Sequence, residues 1–184
     1  MLTNGAGNYS GWLHRFYRYP GLQHGGRTQL APTSGAMGYG VPAAVAAALL
    51  FPDRTAINIA GDGDFLMTGQ ELATATGYRA GTGKGKLIVI VVDNGTYGTI
   101  RMHQEREYPG RVSGSDLFNP DFCALALAYG WRAEPVATTA AFEPAFAAAL
   151  AADRPTLIHV KLDADISTSR TTLTAIRAIA RKRR

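Results

Sequence analysis

Cysteine is almost absent from this sequence. Cys123 is the single cysteine among 184 residues, so no disulfide can form within the chain. A reducing compartment is therefore expected, and the apolar helical pattern around Cys123 predicts a core thiol. No apolar run approaches the ~18 residues of a membrane span. Residues 1–12 also lack the basic start and apolar core of a signal peptide. These absences predict a soluble, cytoplasmic protein without a membrane partner.

Excess positive charge is confined to the end of the chain. The formal net charge is +5, but four basic residues occupy positions 181–184, and without them the charge falls to +1. Such a cluster is typical of a solvated tail. No basic stripe interleaved with aromatic residues is present elsewhere, so nucleic-acid binding is not expected.

Strand patterns alternate with helical patterns along most of the chain. The predicted strands are residues 55–60, 87–92, 132–136 and 156–162. The predicted helices are residues 38–50, 68–78, 120–130 and 140–152, and a charged loop is predicted at residues 103–116. The run "LIVIVV" at 87–92 has no polar alternation, which is typical of a parallel strand buried on both faces. This order predicts an α/β fold, a doubly wound parallel sheet with helices on both faces, in one domain spanning residues 1–184.

The beginning of the chain departs from this pattern. A glycine-rich ligand loop normally follows a strand in this architecture, yet only Leu2 and Thr3 precede "NGAGN". The first strand is therefore expected to be largely missing. We infer from the sequence that the chain is a fragment of a longer protein, or that a partner completes it.

Two polar loops follow neighbouring predicted strands. Asp62 follows the strand at 55–60 between Gly61 and Gly63, and Asn94 follows the strand at 87–92. Ligands in open α/β sheets bind where the carboxyl ends of the strands converge. A carboxylate and an amide oxygen suit Mg²⁺, which also keeps phosphate oxygens and water in its shell. The two glycines would let the backbone approach a phosphate closely.

Other phosphate-binding loops are excluded by their position or spacing. The segment "GTGKGK" at residues 81–86 precedes a strand instead of following one, and it lacks the GxxxxGK[ST] spacing. It is interpreted as a flexible connector. No GxGxxG fingerprint opens a helix after a strand.

The histidines give no metal-ligand pattern. His14, His24 and His103 are predicted to lie in loops, and His103 is a candidate for substrate contact. His159 is predicted to be a hydrogen-bonded histidine within a strand.

The motifs together resemble the thiamine-diphosphate signature, in which GDG is followed at a distance by an Asn-Asn pair. "GDGDFLMTGQELATAT" from Gly61 and "PTSGAMGYGVPAAVAAALLFPD" upstream are similar to the acetolactate synthase and benzoylformate decarboxylase branch. The resemblance runs over nearly the whole chain. Two departures are visible: Asp93 stands where the family has the first asparagine, and Asp62 and Asn94 lie 32 positions apart, which is longer than usual.

The resemblance implies a role for each matching residue. Asp62 and Asn94 would be side-chain ligands of Mg²⁺, with the backbone carbonyl of Thr96 as a third ligand. The remaining residues would contact thiamine diphosphate: Gly61, Gly63 and Asp64 at the diphosphate, Gly7 and Asn8 in a second diphosphate loop, Met37 as the apolar wedge that bends the cofactor, and Gly35 through its carbonyl at the aminopyrimidine. Taken alone, Met37 would more often be an ordinary core residue, but its place inside "SGAMGYG" reverses that interpretation.

The resemblance also implies a reaction and a missing partner. Enzymes of this family decarboxylate a 2-oxo acid and transfer the product carbanion to a proton or a second carbonyl. Their activating glutamate lies on a pyrimidine-binding domain, and none of the five glutamates here occupies a matching motif. The isolated chain is therefore expected to be inactive and to need that domain, from the same or a partner chain, within a homo-oligomer. Two alternatives remain open: a small subunit of a split 2-oxo acid decarboxylase, and a non-catalytic cofactor-binding module.

Overall fold

The computed structural model describes residues 1–21 and 26–183, and His24 and Arg184 lie outside these described residues. Within them, six strands form one parallel sheet in the order β2-β1-β3-β4-β6-β5. The strands are β1 (Leu2–Asn4), β2 (Gln29–Leu30), β3 (Ala56–Gly61), β4 (Leu87–Asp93), β5 (Arg132–Val136) and β6 (Thr156–Lys161).

Eight helices in the described residues connect or flank these strands. They are α1 (Ser10–Phe16), α2 (Gly40–Leu50), α3 (Asp62–Thr68), α4 (Glu71–Gly77), α5 (Gly98–Glu107), α6 (Phe122–Ala128), α7 (Thr139–Ala151) and α8 (Leu173–Lys182). None of the helices in the described ranges is both long enough and apolar enough to cross a membrane.

The sheet is buried on both faces, as the unbroken apolar run predicts. In β4, the side chains of Leu87, Val89 and Val91 belong to the core cluster that includes residues of α2, α3, α4 and α6. Ile88 and Ile90 alternate with them and pack in the second cluster with α7. The prediction of a doubly wound parallel sheet is therefore confirmed.

The first strand is present, so the prediction that it is largely missing was wrong. β1 has three residues and pairs on one side with β2 and on the other with β3, where Asn4 lies opposite Ile59. Thr3 and Asn4 are buried although both are polar. The strand was not predicted because Thr3 and Asn4 are polar, whereas a strand is recognised in a sequence by apolar or alternating residues.

The helix predicted at residues 68–78 corresponds to α4, and a separate helix, α3, precedes it. α3 begins at Asp62 and ends at Thr68, and α4 begins at Glu71. Gly69 lies at the break and fits tightly against Phe65, since a Cβ atom there would lie 2.7 Å from the phenyl ring. The break between α3 and α4 therefore lies against the buried ring of Phe65, and the hydrophobic periodicity of the sequence does not predict this contact.

The loop predicted at residues 103–116 is partly helical. α5 spans Gly98–Glu107, so His103 lies on a helix, and His14 lies on α1. Glu105 is the single buried residue of α5. Without an apolar stripe, the segment lacks the 3.6-residue hydrophobic period by which helices are predicted.

The elements α1, β2 and α8 were likewise not predicted. The basic cluster expected as a solvated tail begins in the last turn of α8, where Arg181, Lys182 and the following Arg183 are exposed. Cys123 is half-buried, so the prediction of a core thiol was too strong, and partial burial raises the pKa of its thiol.

An ion pair joins α8 to α5. The carboxylate of Glu105 is 1% exposed and accepts from Arg177 Nε at 2.9 Å and Nη2 at 2.5 Å, and also from the Gly110 N–H at 2.8 Å. The Arg177 guanidinium holds the pKa of Glu105 below its usual range. A planar guanidinium that donates twice to one carboxylate is a directional contact, so it fixes how α8 lies on α5.

Replacing Glu105 with glutamine is expected to lower the free energy of unfolding by about 1–3 kcal/mol at neutral pH, because hydrogen bonds to a charged group are lost. The lowered pKa means that this stabilisation is present above the unfolded pKa of ~4.3 and is lost as the pH falls through the folded value. The free energies of unfolding of wild type and Glu105→Gln should therefore become similar below about pH 4. Urea unfolding at a series of pH values checks this, with exposed Glu143→Gln as the control. A constant difference between wild type and E105Q at all pH values would contradict it.

Candidate functional site

The sheet reverses its winding direction between β1 and β3. From β1 the chain goes to β2 on one side, and it then returns to β3 on the other side of β1. At such a switch point the loops after two adjacent strands diverge and leave a crevice beyond their carboxyl ends. The loop after β1 begins at Gly5, whereas β3 ends at Gly61 and leads directly into Asp62, the first residue of α3.

A cavity of about 600 Å³ opens at this crevice. All ten residues that the resemblance assigns to cofactor or metal binding line it: Gly7, Asn8, Gly35, Met37, Gly61, Asp62, Gly63, Asp64, Asn94 and Thr96. They come from four separate segments of the chain. The fold thus brings together the residues that the sequence motifs single out.

Asp62 begins α3 at the floor of this cavity and is 3% exposed. Its Oδ1 accepts from the Gly63 N–H at 2.9 Å, and its Oδ2 accepts from the Gly95 N–H and from Asn119 Nδ2, both at 2.8 Å. These three donors are all neutral. Burial raises the pKa of Asp62, and the nearby negative charge of Asp93 adds to the rise.

Asp93 ends β4 beside Asp62 but has a different environment. Its Oδ2 accepts from Lys161 Nζ at 2.6 Å and from His159 Nε2 at 2.8 Å, and its Oδ1 accepts from Asn119 Nδ2 at 2.8 Å. Burial alone would raise its pKa, but these hydrogen bonds outweigh burial and lower the pKa to about 2. The negative charge of Asp93, which stands where the family has an asparagine, is therefore balanced by the positive charge of Lys161 on β6. The partners of Asp62 carry no such positive charge. The prediction for His159 is confirmed.

The loop after β4 contacts Asp62 and carries two further oxygens that could bind a cation. The Gly95 N–H that donates to Asp62 is adjacent to Asn94, so the two loop tips are in direct contact. Asn94 Oδ1 accepts from the Thr96 N–H at 3.2 Å, and the Thr96 carbonyl accepts from the Gly98 N–H at 2.8 Å. Each of these oxygens has a second lone pair that can bind a cation.

Tyrosine packing explains the two glycines that flank Asp62. A Cβ atom at Gly61 would lie 2.9 Å from the ring of Tyr9, and one at Gly63 would lie 2.6 Å from the ring of Tyr97. Neither glycine has a positive φ. Glycine is therefore required at both positions because each lies in close contact with an aromatic ring that lines the cavity. The sequence alone did not predict this reason.

The segment with Met37 forms one rim of the cavity. The side chain of Met37 is 37% exposed and lines the cavity, so Met37 is not an ordinary core residue. Gly35 and Gly38 have φ values of +67° and +82°, which glycine adopts at little cost.

Asn8 connects the opposite rim to α5 and to the segment before α8. Its backbone N–H donates to Thr99 Oγ1 at 3.0 Å, and its Nδ2 donates to Ser167 Oγ at 3.1 Å and to Met102 Sδ at 3.5 Å. Its side chain is held from inside the protein. Its backbone carbonyl accepts from the Gly11 N–H at 3.0 Å, so Asn8 lines the cavity with its backbone N–H, its carbonyl and its Nδ2 already bonded within the protein.

Sequence reasoning missed Asn119, which contacts both acidic residues of the site. Its Nδ2 bridges Asp62 and Asp93, while its Oδ1 is buried and has no hydrogen-bond partner among the residues that the structure describes. Asn119 lies between the loop predicted at residues 103–116 and the helix predicted at residues 120–130, in a stretch for which no role was predicted. The contact joins residues 57 positions apart, and no local pattern carries that information.

Comparison with known proteins shows that the chain belongs to the thiamine pyrophosphate enzymes, as a C-terminal TPP binding domain. The model of that family matches residues 5–160. The resemblance found in the motifs is therefore confirmed.

Two curated relatives represent the two branches expected. The chain is 36% identical over 163 residues to the acetolactate synthase large subunit of Parasynechococcus marenigrum, covering 87% of this chain and 25% of the relative. It is 40% identical over 129 residues to the benzoylformate decarboxylase of Pseudomonas aeruginosa, covering 70% and 24%. The chain thus spans about a quarter of the length of these relatives.

Two solved structures share the fold. A thiamine diphosphate-dependent 4-hydroxybenzoylformate decarboxylase of Rhodococcus jostii RHA1 matches at 40% identity and a TM-score of 0.66, covering 74% of this chain and 25% of that chain. The benzoylformate decarboxylase of Polynucleobacter necessarius has a TM-score of 0.79 at 24% identity, covering 91% and 31%, and it supports the fold alone.

Proposed function

We propose that this chain binds the diphosphate of thiamine diphosphate through Mg²⁺, as part of an enzyme that decarboxylates a 2-oxo acid. The observation that carries the proposal is the environment of Asp62. Asp62 is a buried carboxylate whose partners among the described residues are all neutral, which is costly. It also contacts the loop that carries Asn94 and Thr96, so a cation bound there would offset that cost and find further oxygen ligands. Asp93, by contrast, already has Lys161.

The donors beside Asp62 fit this ion. Asp62, Asn94 and the Thr96 carbonyl would supply three hard oxygens, the ligand type that Mg²⁺ prefers. Diphosphate oxygens and a water would complete the shell. Gly63 and Asp64 would meet the diphosphate through their backbone, and Gly7 and Asn8 would meet it from the opposite rim.

The rest of the cavity is suited to an aromatic cofactor. Its lining includes the apolar side chains of Ile90, Val92, Phe142 and Leu162, in addition to Met37. Apolar walls exclude water and favour the burial of flat rings. Met37 would press against the cofactor from the rim, and the Gly35 carbonyl would accept from its amino group.

The chain supplies the position of the cofactor and not its proton transfer. Bound thiamine diphosphate supplies a thiazolium carbon that adds to a 2-oxo acid and stabilises the negative charge left when carbon dioxide departs. All five glutamates lie within the described residues, and none lines the cavity. The activating glutamate would come from a pyrimidine-binding domain, of the same or a partner chain, that docks over the apolar opening. Whether the product is protonated or joined to a second carbonyl depends on that partner.

A titration of the 184-residue chain tests the proposal. Thiamine diphosphate and inorganic pyrophosphate should each bind in the presence of Mg²⁺, and EDTA should abolish binding of both, as measured by isothermal calorimetry. Binding that is equally strong with EDTA, or no binding with Mg²⁺, would contradict the proposal. Activity towards a 2-oxo acid only after a second chain is added would favour the split-subunit alternative.

A further inference from the structure

The side chain of Asp64 joins two segments of the cavity rim. Its Oδ1 accepts from the Gly38 N–H at 2.7 Å, and its Oδ2 accepts from the Tyr9 hydroxyl at 2.8 Å. Asp64 is 3% exposed. It lies on α3 two residues after Asp62, so one short helix carries both a candidate metal ligand and the anchor of the rim.

The carboxylate of Asp64 is enclosed by protein. A Cβ atom at Gly5 would lie 1.9 Å from Asp64 Oδ1, so the loop after β1 fits over the carboxylate only because residue 5 is glycine. With both oxygens engaged and the space above them filled, the side chain is directed into the protein. The role of the Asp64 side chain therefore depends on the two groups it binds, the Gly38 N–H and the Tyr9 hydroxyl.

The segment with Met37 is held on α3 from both sides of Gly38. The Gly38 N–H donates to Asp64, and the Gly38 carbonyl accepts from Thr68 Oγ1 at 2.8 Å. A Cβ atom at Gly38 would lie 2.8 Å from the Cβ of Met67, so the backbone rests directly on the helix. These contacts set the height of Met37 above the helix that begins with Asp62.

We propose that Asp64 is a positioning residue that holds Met37 at the height needed to contact the rings of the cofactor while its diphosphate is held at Asp62. This rests on the proposed function. A buried backbone N–H left without an acceptor is costly. Loss of the carboxylate therefore frees the segment with Met37 and leaves the oxygens at Asp62 and Asn94 in place.

Comparing two ligands separates this role from a general structural one. Inorganic pyrophosphate reports on the metal and diphosphate site alone, whereas thiamine diphosphate also reports on the ring contacts. In wild type, thiamine diphosphate should bind more tightly than pyrophosphate in the presence of Mg²⁺. Asp64→Ala should weaken thiamine diphosphate by about tenfold or more and pyrophosphate by no more than about threefold.

Two further variants provide controls. Asp64→Asn keeps an oxygen that accepts from Gly38 and an amide that can donate to Tyr9, so it should restore thiamine diphosphate binding to within about threefold of wild type. Tyr9→Phe keeps the ring that packs on Gly61 and removes only the hydroxyl, so it should have a smaller effect than Asp64→Ala.

Amide hydrogen exchange by NMR tests the geometry without any ligand. The Gly38 N–H should exchange at least about tenfold faster in Asp64→Ala than in wild type, and Asp64→Asn should retain protection. Equal exchange in wild type and Asp64→Ala, equal weakening of both ligands, or no preference of wild type for thiamine diphosphate over pyrophosphate would overturn the inference. Failure of both ligands to bind wild type with Mg²⁺ would instead overturn the proposed function, and the exchange result would still decide whether Asp64 holds Gly38.

Discussion

Replacement of Asp62 with alanine is expected to weaken Mg²⁺-dependent binding of thiamine diphosphate at least about a hundredfold, or about 2.8 kcal/mol. Asp62 would be the anionic ligand of the ion, and its Oδ2 also accepts from Gly95 in the loop that carries Asn94. The substitution therefore removes a negative ligand and a contact between the two loop tips. Isothermal calorimetry with Mg²⁺ and thiamine diphosphate measures the effect.

Two control variants define what this loss means. Asp62→Asn keeps the size of the side chain and removes its charge, so it should also lose most of the Mg²⁺ dependence. Exposed Asp53→Ala should bind as wild type does. Wild-type affinity in Asp62→Asn would show that the negative charge at this position does not bind the ion.

Replacement of Trp131 with alanine is expected to lower the free energy of unfolding by about 3–5 kcal/mol, the range for large aromatic side chains in cores. Trp131 is 2% exposed in the cluster that α2, α3, α4 and α6 form on one face of the sheet. Its Nε1 also donates to the Leu72 carbonyl at 3.2 Å. A small domain has only about 5–15 kcal/mol in total, so the loss is a large fraction of its stability.

Trp131→Phe separates the two contributions to this loss. Phenylalanine retains much of the buried volume and loses the hydrogen bond to Leu72, so it should cost about 1–3 kcal/mol. Urea unfolding of both variants measures the difference. Trp131 does not line the cavity, so Mg²⁺-dependent binding by the folded fraction should be unchanged. A loss below about 1 kcal/mol in Trp131→Ala would contradict the assignment of Trp131 to the core.

The sheet could be predicted from sequence because its central strands carry their signal locally. The run in β4 has apolar residues on both faces, and the Asp62 and Asn94 motifs follow two strands that the structure places side by side. Parallel neighbours end at the same edge, so adjacent strands suffice to predict adjacent loop tips. The roles of the ten site residues in binding stay predictions.

Elements without a local apolar period could not be predicted. α5 buries only Glu105, and the reason for that burial is Arg177, 72 positions away. The contacts of Asn119 with Asp62 and of Asp64 with Tyr9 likewise join distant parts of the chain. Such contacts exist only once the sheet has formed, so a search for periodicity or motifs does not find them.

The position of the bound ion tests the central claim most directly. Mn²⁺ accepts the same oxygen ligands as Mg²⁺ and gives an anomalous signal in a crystal of the chain grown with Mn²⁺ and thiamine diphosphate. The account predicts one anomalous peak at about 2.0–2.2 Å from an Asp62 carboxylate oxygen, Asn94 Oδ1 and the Thr96 carbonyl, with diphosphate oxygens completing the shell. A diphosphate bound in the cavity without this peak, or a peak that does not contact Asp62 and Asn94 together, would contradict it.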